Sequence, residues 1–126
     1  MAVPVNVPRQ NVMWISTEAM KKIGASAPPK TWDEFFAMAD KAKAAGLMPL
    51  VMATDPWVNF MFMQVVYGTL QPEAYRKAFY DADDGLLKGP GMVKAFEVMR
   101  KARGNVDRSA STRKWNEATQ MVIQGT

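Results

Sequence analysis

The chain has 126 residues, a formal net charge of +4 and a hydrophobic content of 48%. This length suits one compact domain, and this composition supports a hydrophobic core rather than wholesale disorder. The sequence has no cysteine, which excludes disulfides, thiolate catalysis and cysteine zinc sites. It has no histidine either, which removes histidine general bases and most transition-metal sites.

The excess of basic residues is not concentrated in a stripe of the kind that binds nucleic acid. The basic side chains are spread over several segments, which is typical of a solvated face. The longest apolar stretch, residues 57–67, contains Asn59 and Gln64 and is far shorter than the roughly 20 residues of a membrane span. The densest basic set is Lys94, Arg100, Lys101, Arg103 and Arg108. The sequence therefore predicts neither a nucleic-acid partner nor a membrane span.

Three short extended segments are predicted. Residues 3–7 and 12–15 are rich in apolar residues and are predicted to be extended. Pro4 and Pro8 are incompatible with a long helix or a regular inner strand there. Residues 47–53 (LMPLVMA) indicate a short strand at the edge of a sheet.

The clearest helix start is the T-x-x-E capping box of Thr31 and Glu34. Apolar residues recur behind it at helical spacing, and Gly46 ends the pattern. Trp32, Phe35, Phe36, Ala39 and Ala42 form this predicted core stripe.

About five further helices are predicted. The helix that begins at Pro56 is apolar on nearly every side, so we expect it to be buried on more than one face. The helix opened by Pro90 is predicted to bury a stripe of residues, and basic side chains follow at its carboxyl end. The stripe is Met92, Val93, Phe96 and Met99. The other starts are Ser16 or Thr17 (ending at Gly24), Pro72 (with Tyr75, Ala78 and Phe79 inward), and Ser111 or Thr112.

Six segments together are more informative than any one of them. In chain order they are VPVNVPRQNVMWIS, PKTWDEFFAMADKAKAAGLMPL, DPWVNFMF, YRKAF, MVKAFEVMRKARG and WNEATQMVIQG. In this order and spacing the chain resembles the extracellular (periplasmic) solute-binding proteins of ABC-type sugar importers, in the branch that binds glucose and related sugars. The resemblance covers nearly the whole chain.

The resemblance implies a fold. Mature members of the family are much longer than this chain and have two α/β lobes joined by crossover strands. Residues 3–7 match a crossover strand that enters the second lobe. We therefore expect residues 1–126 to form a single, mainly α-helical domain with two or three short extended segments, equivalent to part of the second lobe of a periplasmic-binding-protein-like α/β fold.

The resemblance also implies ligand-binding residues. Planar aromatic rings pack on the apolar face of a sugar, and amide or charged groups satisfy its hydroxyls. Trp57 follows a polar loop at a helix start, Trp115 and Asn116 match a W-N pair whose tryptophan lines the sugar site, and Arg9 is a weaker candidate. Pro8 stands where the family often has histidine beside a basic residue, and the loss of that hydrogen-bonding group makes retained sugar binding by this chain less expected.

The tryptophans have structural interpretations as well. Trp57 is equally compatible with a core position on a buried helix. Trp115 is compatible with an anchor for the last helix, in a stripe with Ala118 and Val122. The remaining tryptophans, Trp14 and Trp32, are predicted to be structural.

No catalytic set is evident in the sequence. Asp81, Asp83 and Asp84 lack the D-x-D-x-D-G spacing and the distal glutamate of a calcium loop, so they indicate a polar turn. We expect neither an enzyme nor a cofactor or metal site.

Two functions remain open. The first is a half-site that binds a glucose-like monosaccharide weakly or not at all without the other lobe, in a protein that serves an ABC permease. The second is a stand-alone helical interaction protein that self-associates, as a homo-oligomer, through the helix at Pro56 and residues 3–7. The resemblance implies a periplasmic or extracellular location. Residues 1–4 (MAVP) lack the features of a signal peptide, so the chain expressed as it stands is expected in the cytoplasm.

Overall fold

The computed structural model describes residues 12–125. Within this range the chain is mainly helical and forms no strand, which confirms the predicted fold class. The predicted crossover strand at residues 3–7 lies outside the described residues. The helices are α1 (Thr17–Lys22), α2 (Trp32–Ala44), α3 (Pro56–Leu70), α4 (Pro72–Phe79), α5 (Asp84–Leu87), α6 (Pro90–Arg103) and α7 (Trp115–Gln124), and a 3-10 turn (Arg108–Ser111) precedes α7.

The first two helices start and end as their local sequence predicts. The Ser16 side chain accepts a backbone N–H of α1 at 3.3 Å. The Thr31 hydroxyl accepts the N–H of Glu34 at 3.2 Å, and the Glu34 carboxylate reaches back to the N–H of Lys30 at 2.7 Å. Gly46 follows α2 with a φ of +72°, the left-handed conformation that commonly terminates helices.

The main core lies where α3 packs against α4 and α6. Val66 and Tyr67 of α3 are almost fully inaccessible to solvent. Ala78 of α4 and Ala95 of α6 are equally buried, and their small side chains allow the helices to approach closely. The carboxyl-terminal half of α3 is thus covered from two sides. The buried members of this cluster are Met63, Val66, Tyr67, Ala78, Met92 and Ala95.

A second cluster joins α2 to α6. Phe35 and Phe36 are buried against Ala102, and the Trp32 ring lies within 6.3 Å of both phenylalanine rings. The indole N–H of Trp32 donates to the Thr69 hydroxyl at 2.7 Å, so this half-buried tryptophan also satisfies its polar group. The structural role predicted for Trp32 is confirmed. Trp32, Phe62 and Val98 pack against both clusters and connect them.

The strand predicted at residues 47–53 is wrong, because this segment has no hydrogen-bonded neighbour of its own kind within residues 12–125. A strand needs a partner for its backbone groups. Here the Met52 carbonyl and the Thr54 N–H are used by Arg113 instead.

The stripe predicted for α6 is only partly correct. Met92 is buried, but Val93 and Phe96 are 56% and 59% exposed. The helix turns its small residues Ala95 and Ala102 toward its neighbours, because the close approach of α3 and α2 leaves no room for larger side chains.

The carboxyl-terminal third contains two further corrections. The last helix begins at Trp115, not after Ser111 or Thr112, whose hydroxyls bond to carbonyls three residues earlier in the 3-10 turn. The acidic turn opens the short helix α5, and the Asp83 carboxylate accepts the N–H of Leu86 at 3.0 Å. This extra helix was missed because it is a single turn.

The prediction that Trp14 is structural is wrong for the described residues. Its side chain is 78% exposed and it belongs to neither core cluster. The neighbouring residues 12 and 13 are about half exposed as well, so the apolar composition of this segment is not matched by burial within residues 12–125.

Phe36→Ala and Phe96→Ala remove the same side chain from two sites of opposite burial. Phe36 is 6% exposed and Phe96 is 59% exposed. We expect Phe36→Ala to lower the free energy of unfolding by about 3–5 kcal/mol, or to unfold the chain, because a core cavity remains. Phe96→Ala should change it by about 0.5 kcal/mol or less. Urea denaturation followed by circular dichroism measures both, and equal losses would contradict this core.

Candidate functional site

The start of α3 meets the start of α7 at a set of hydrogen bonds that we call the α3–α7 junction. The Thr54 N–H donates to the Arg113 carbonyl at 2.9 Å, and the Arg113 guanidinium donates to the Met52 carbonyl at 3.2 Å. The Trp115 backbone N–H donates to the Asp55 carboxylate at 3.1 Å. The junction thus connects residues about sixty positions apart and places the first turns of both helices together.

Asp55 occupies the N-cap position of α3, as its position before Pro56 predicts, but its side chain does not cap that helix. Its carboxylate instead accepts the N–H of Trp115, the first residue of α7. The N–H groups of a first helical turn have no partner inside their own helix and carry partial positive charge, so a carboxylate there is favourable. A second carboxylate, that of Glu117, accepts the Lys114 N–H at 2.6 Å.

Arg113 is buried, with 8% of its surface exposed, and it holds the loop before α7 in place. One of its guanidinium nitrogens lies 2.8 Å from both carboxylate oxygens of Asp107. Burial by itself raises the pKa of the Asp107 carboxyl group, but hydrogen bonds from Arg113 and Ser109 and the positive charge of Arg113 outweigh burial. The pKa of Asp107 is therefore lower than its ordinary value.

Two of the predicted ligand residues lie at this junction. Trp57, two residues after Asp55, is 49% exposed, and Trp115 is 55% exposed. Unlike Trp32, neither has a hydrogen bond to its indole N–H or a ring contact within residues 12–125. Asn116 is exposed next to Trp115. Large half-exposed aromatic rings with free polar edges are suited to contact a polar ligand that has an apolar face.

The structure does not bring all predicted residues together, and it adds residues that the sequence did not indicate. Arg9 lies outside the described residues. Asp55, Arg113 and Asp107 are not among the ligand residues that the sequence predicts. The motif D-P-W gives no sign that its carboxylate serves another helix, and nothing in the basic run around Arg113 distinguishes the buried arginine from its exposed neighbours.

The junction is an open surface rather than an enclosed pocket. Two shallow depressions of about 430 and 450 Å³ occur elsewhere, and neither is lined by Trp57 or Trp115. One borders the loop at residues 24–30 and the other lies between α4 and the acidic turn.

The described residues show no group of three or more acidic side chains placed to hold a metal ion. Within residues 12–125, every helix is too short or too polar to cross a bilayer. The carboxylates discussed above are instead engaged with backbone N–H groups, as Asp55 and Glu117 are, or with a guanidinium, as Asp107 is.

The chain belongs to the family of bacterial extracellular solute-binding proteins, which it matches over residues 1–126. Members of this family are transport components rather than enzymes.

Named relatives are similar over almost all of this chain. A probable sugar-binding periplasmic protein of Mesorhizobium japonicum is 48% identical over 125 residues, and one of Brucella suis is 40% identical over 124. An uncharacterized ABC transporter extracellular-binding protein of Pyrococcus horikoshii is 30% identical over 128 residues. Each match covers 98% of this chain, but the chain spans only 28–30% of the length of these relatives.

Asp107→Asn should lower the free energy of unfolding at neutral pH and make it depend less on pH in the acidic range. A carboxyl group whose pKa is lowered by folding stabilises the native state above its unfolded pKa of about 3.9, and this contribution is lost as pH falls through the lower folded pKa. We expect the variant to lose about 1.5–3 kcal/mol near pH 7, because a hydrogen bond to a charged group is weakened.

Urea denaturation between neutral pH and about pH 2 measures this effect across the pKa range. Asp40→Asn, on the exposed surface of α2, is the matched control and should retain the wild-type profile. Parallel pH profiles for wild type and Asp107→Asn would contradict the role assigned to the Asp107–Arg113 pair.

Proposed function

We propose that this chain contributes one wall of the carbohydrate site of an ABC-type sugar-binding protein. The observation that carries this proposal is that Trp57 and Trp115 are both half exposed and lie in the first turns of two helices that Asp55 joins by a hydrogen bond to the Trp115 N–H. The names of relatives that match almost the whole chain support it, since they are described as probable sugar-binding periplasmic proteins.

The proposed ligand is a glucose-like monosaccharide. One or both indole rings would pack on the apolar face of the sugar, and the Asn116 amide, which can both donate and accept, would bond to its hydroxyls. Arg9 is proposed as a further hydroxyl partner. A neutral polyol suits this surface because it needs aromatic faces and neutral hydrogen-bonding groups more than a strong charge.

Binding by this chain alone is proposed to be weak. Solute-binding proteins of two lobes enclose a ligand between them, and closure excludes water and adds contacts. One wall makes only part of those contacts, while the loss of ligand freedom still opposes binding. In the complete protein, the site would deliver sugar to an ABC permease from the periplasm, which is the location given in the names of the relatives.

The alternative of a stand-alone, self-associating interaction protein has less support. Its main motivation was the apolar surface of α3, and the carboxyl-terminal half of that helix is covered by α4 and α6 within the chain. The relatives are named as sugar-binding or extracellular-binding proteins, which favours the transport function.

A glucose titration should give a dissociation constant weaker than about 1 mM, which corresponds to a binding free energy smaller in size than about 4 kcal/mol. The measurement is a two-dimensional amide and indole NMR titration, which detects weak binding and locates it. We expect the resonances of Trp57, Trp115 and Asn116 to shift most. At least one of Trp57→Ala and Trp115→Ala should abolish the shifts that remain observable in that variant.

Trp14→Ala is the matched control, because Trp14 is also exposed but does not belong to the α3–α7 junction. It should leave the titration unchanged. A micromolar dissociation constant would overturn the half-site interpretation, and shifts that persist in both Trp57→Ala and Trp115→Ala would overturn the proposed site.

A further inference from the structure

We infer that Asp55 is a positioning residue, whose carboxylate fixes the first turn of α7 against the first turn of α3 and so sets the place of Trp115 relative to Trp57. Its effect on sugar binding depends on the function proposed above. The positioning itself is a property of this chain and can be measured without a ligand.

The first argument is that α7 has no fully buried side chain among its described residues. None of its described residues is buried, although α2, α3, α4 and α6 each bury at least one side chain. Burial of apolar side chains normally fixes how a helix lies on a domain. For α7 the specific polar contacts at its amino end therefore have a larger share in determining its position.

The second argument is that the carboxylate that accepts this hydrogen bond belongs to a side chain that is mostly covered, although Trp115 beside it is half exposed. The Asp55 side chain is only 17% exposed, and its carboxylate lies 3.1 Å from the Trp115 nitrogen. A hydrogen bond to a charged group is stronger than one between two neutral groups. Lys114 adds little, because its ammonium is 4.0 Å from Asp55 and its side chain is 66% exposed.

The third argument is that the neighbouring contacts hold the backbone in register. The Arg113 carbonyl accepts the Thr54 N–H. Thr54 directly precedes Asp55, and Arg113 lies two residues before Trp115. The Asp107 carboxylate holds the Arg113 guanidinium, which also contacts the Met52 carbonyl. These contacts place the N–H of Trp115 within reach of Asp55, and the carboxylate completes the junction.

The charge and the acceptor oxygen of the Asp55 side chain both matter in this arrangement. Asparagine at position 55 keeps an oxygen that can accept the Trp115 N–H but loses the negative charge that the helix amino terminus favours. Alanine loses both. Wild type, Asp55→Asn and Asp55→Ala should therefore show a graded loss of order at the start of α7.

Amide hydrogen exchange followed by NMR, without sugar, tests this inference. We expect Asp55→Ala to accelerate exchange of the Trp115 amide by at least about tenfold, and Asp55→Asn to do so to a smaller extent. The amides of Val66 and Tyr67 in the core should keep their protection. If Asp55→Ala disorders α7 completely, the Asn variant still reports the contribution of the charge.

Asp83→Ala is the matched control. Asp83 is also an aspartate whose carboxylate accepts the N–H of a helix amino terminus, at 3.0 Å from Leu86, but it serves only its own turn. Its removal should accelerate exchange at Leu86 and leave Trp115 unchanged. Unchanged exchange at Trp115 in Asp55→Ala, or equal acceleration in Asp83→Ala, would overturn the positioning role.

The sugar titration then separates this inference from the proposed function. If wild type responds to sugar, Asp55→Ala should weaken the response of Trp57 and Trp115 severalfold while Asp83→Ala does not, and equal affinities would overturn the inference. If wild type shows no response at any concentration, the half-site proposal fails, and the exchange of the Trp115 amide still decides whether Asp55 positions α7.

Discussion

The packing of α3 against α6 is the contact on which the rest of the chain depends. Val66 and Tyr67 are buried against Ala95, whose small side chain allows the two helices to come close. This contact determines the direction of α3 and therefore the place where its other end emerges. The exposed Trp57 lies at that end, so one helix serves the core with its last turns and the candidate site with its first.

A different kind of contact holds α7. No described residue of this helix is buried, and its first residue is bound through its backbone to Asp55. Polar contacts are directional, whereas apolar burial is not, so they can define a position without a large interface. The two tryptophans are therefore supported unequally: Trp57 by a helix rooted in the core, and Trp115 by a junction of hydrogen bonds.

Local features of the sequence predicted most of the helices, because capping residues and helical periodicity act within a few positions. Thr31, Glu34 and Gly46 are examples, and each has the expected role in the structure. The errors arose where contacts with distant parts of the chain determine the local structure. Residues 47–53 have strand-like composition but no strand beside them within residues 12–125. The Met52 carbonyl in this segment accepts a hydrogen bond from Arg113, which is sixty-one residues away along the chain.

The same distinction applies to the candidate site. Trp57, Trp115 and Asn116 were indicated by a family resemblance, whereas Asp55 and Arg113 were not indicated as a pair by any short motif. Their contacts join segments that the sequence separates widely, so they become visible only when the fold is known. Because the core at Val66 and the junction at Asp55 use different residues and different forces, stability and placement of the aromatic rings should respond separately to substitution.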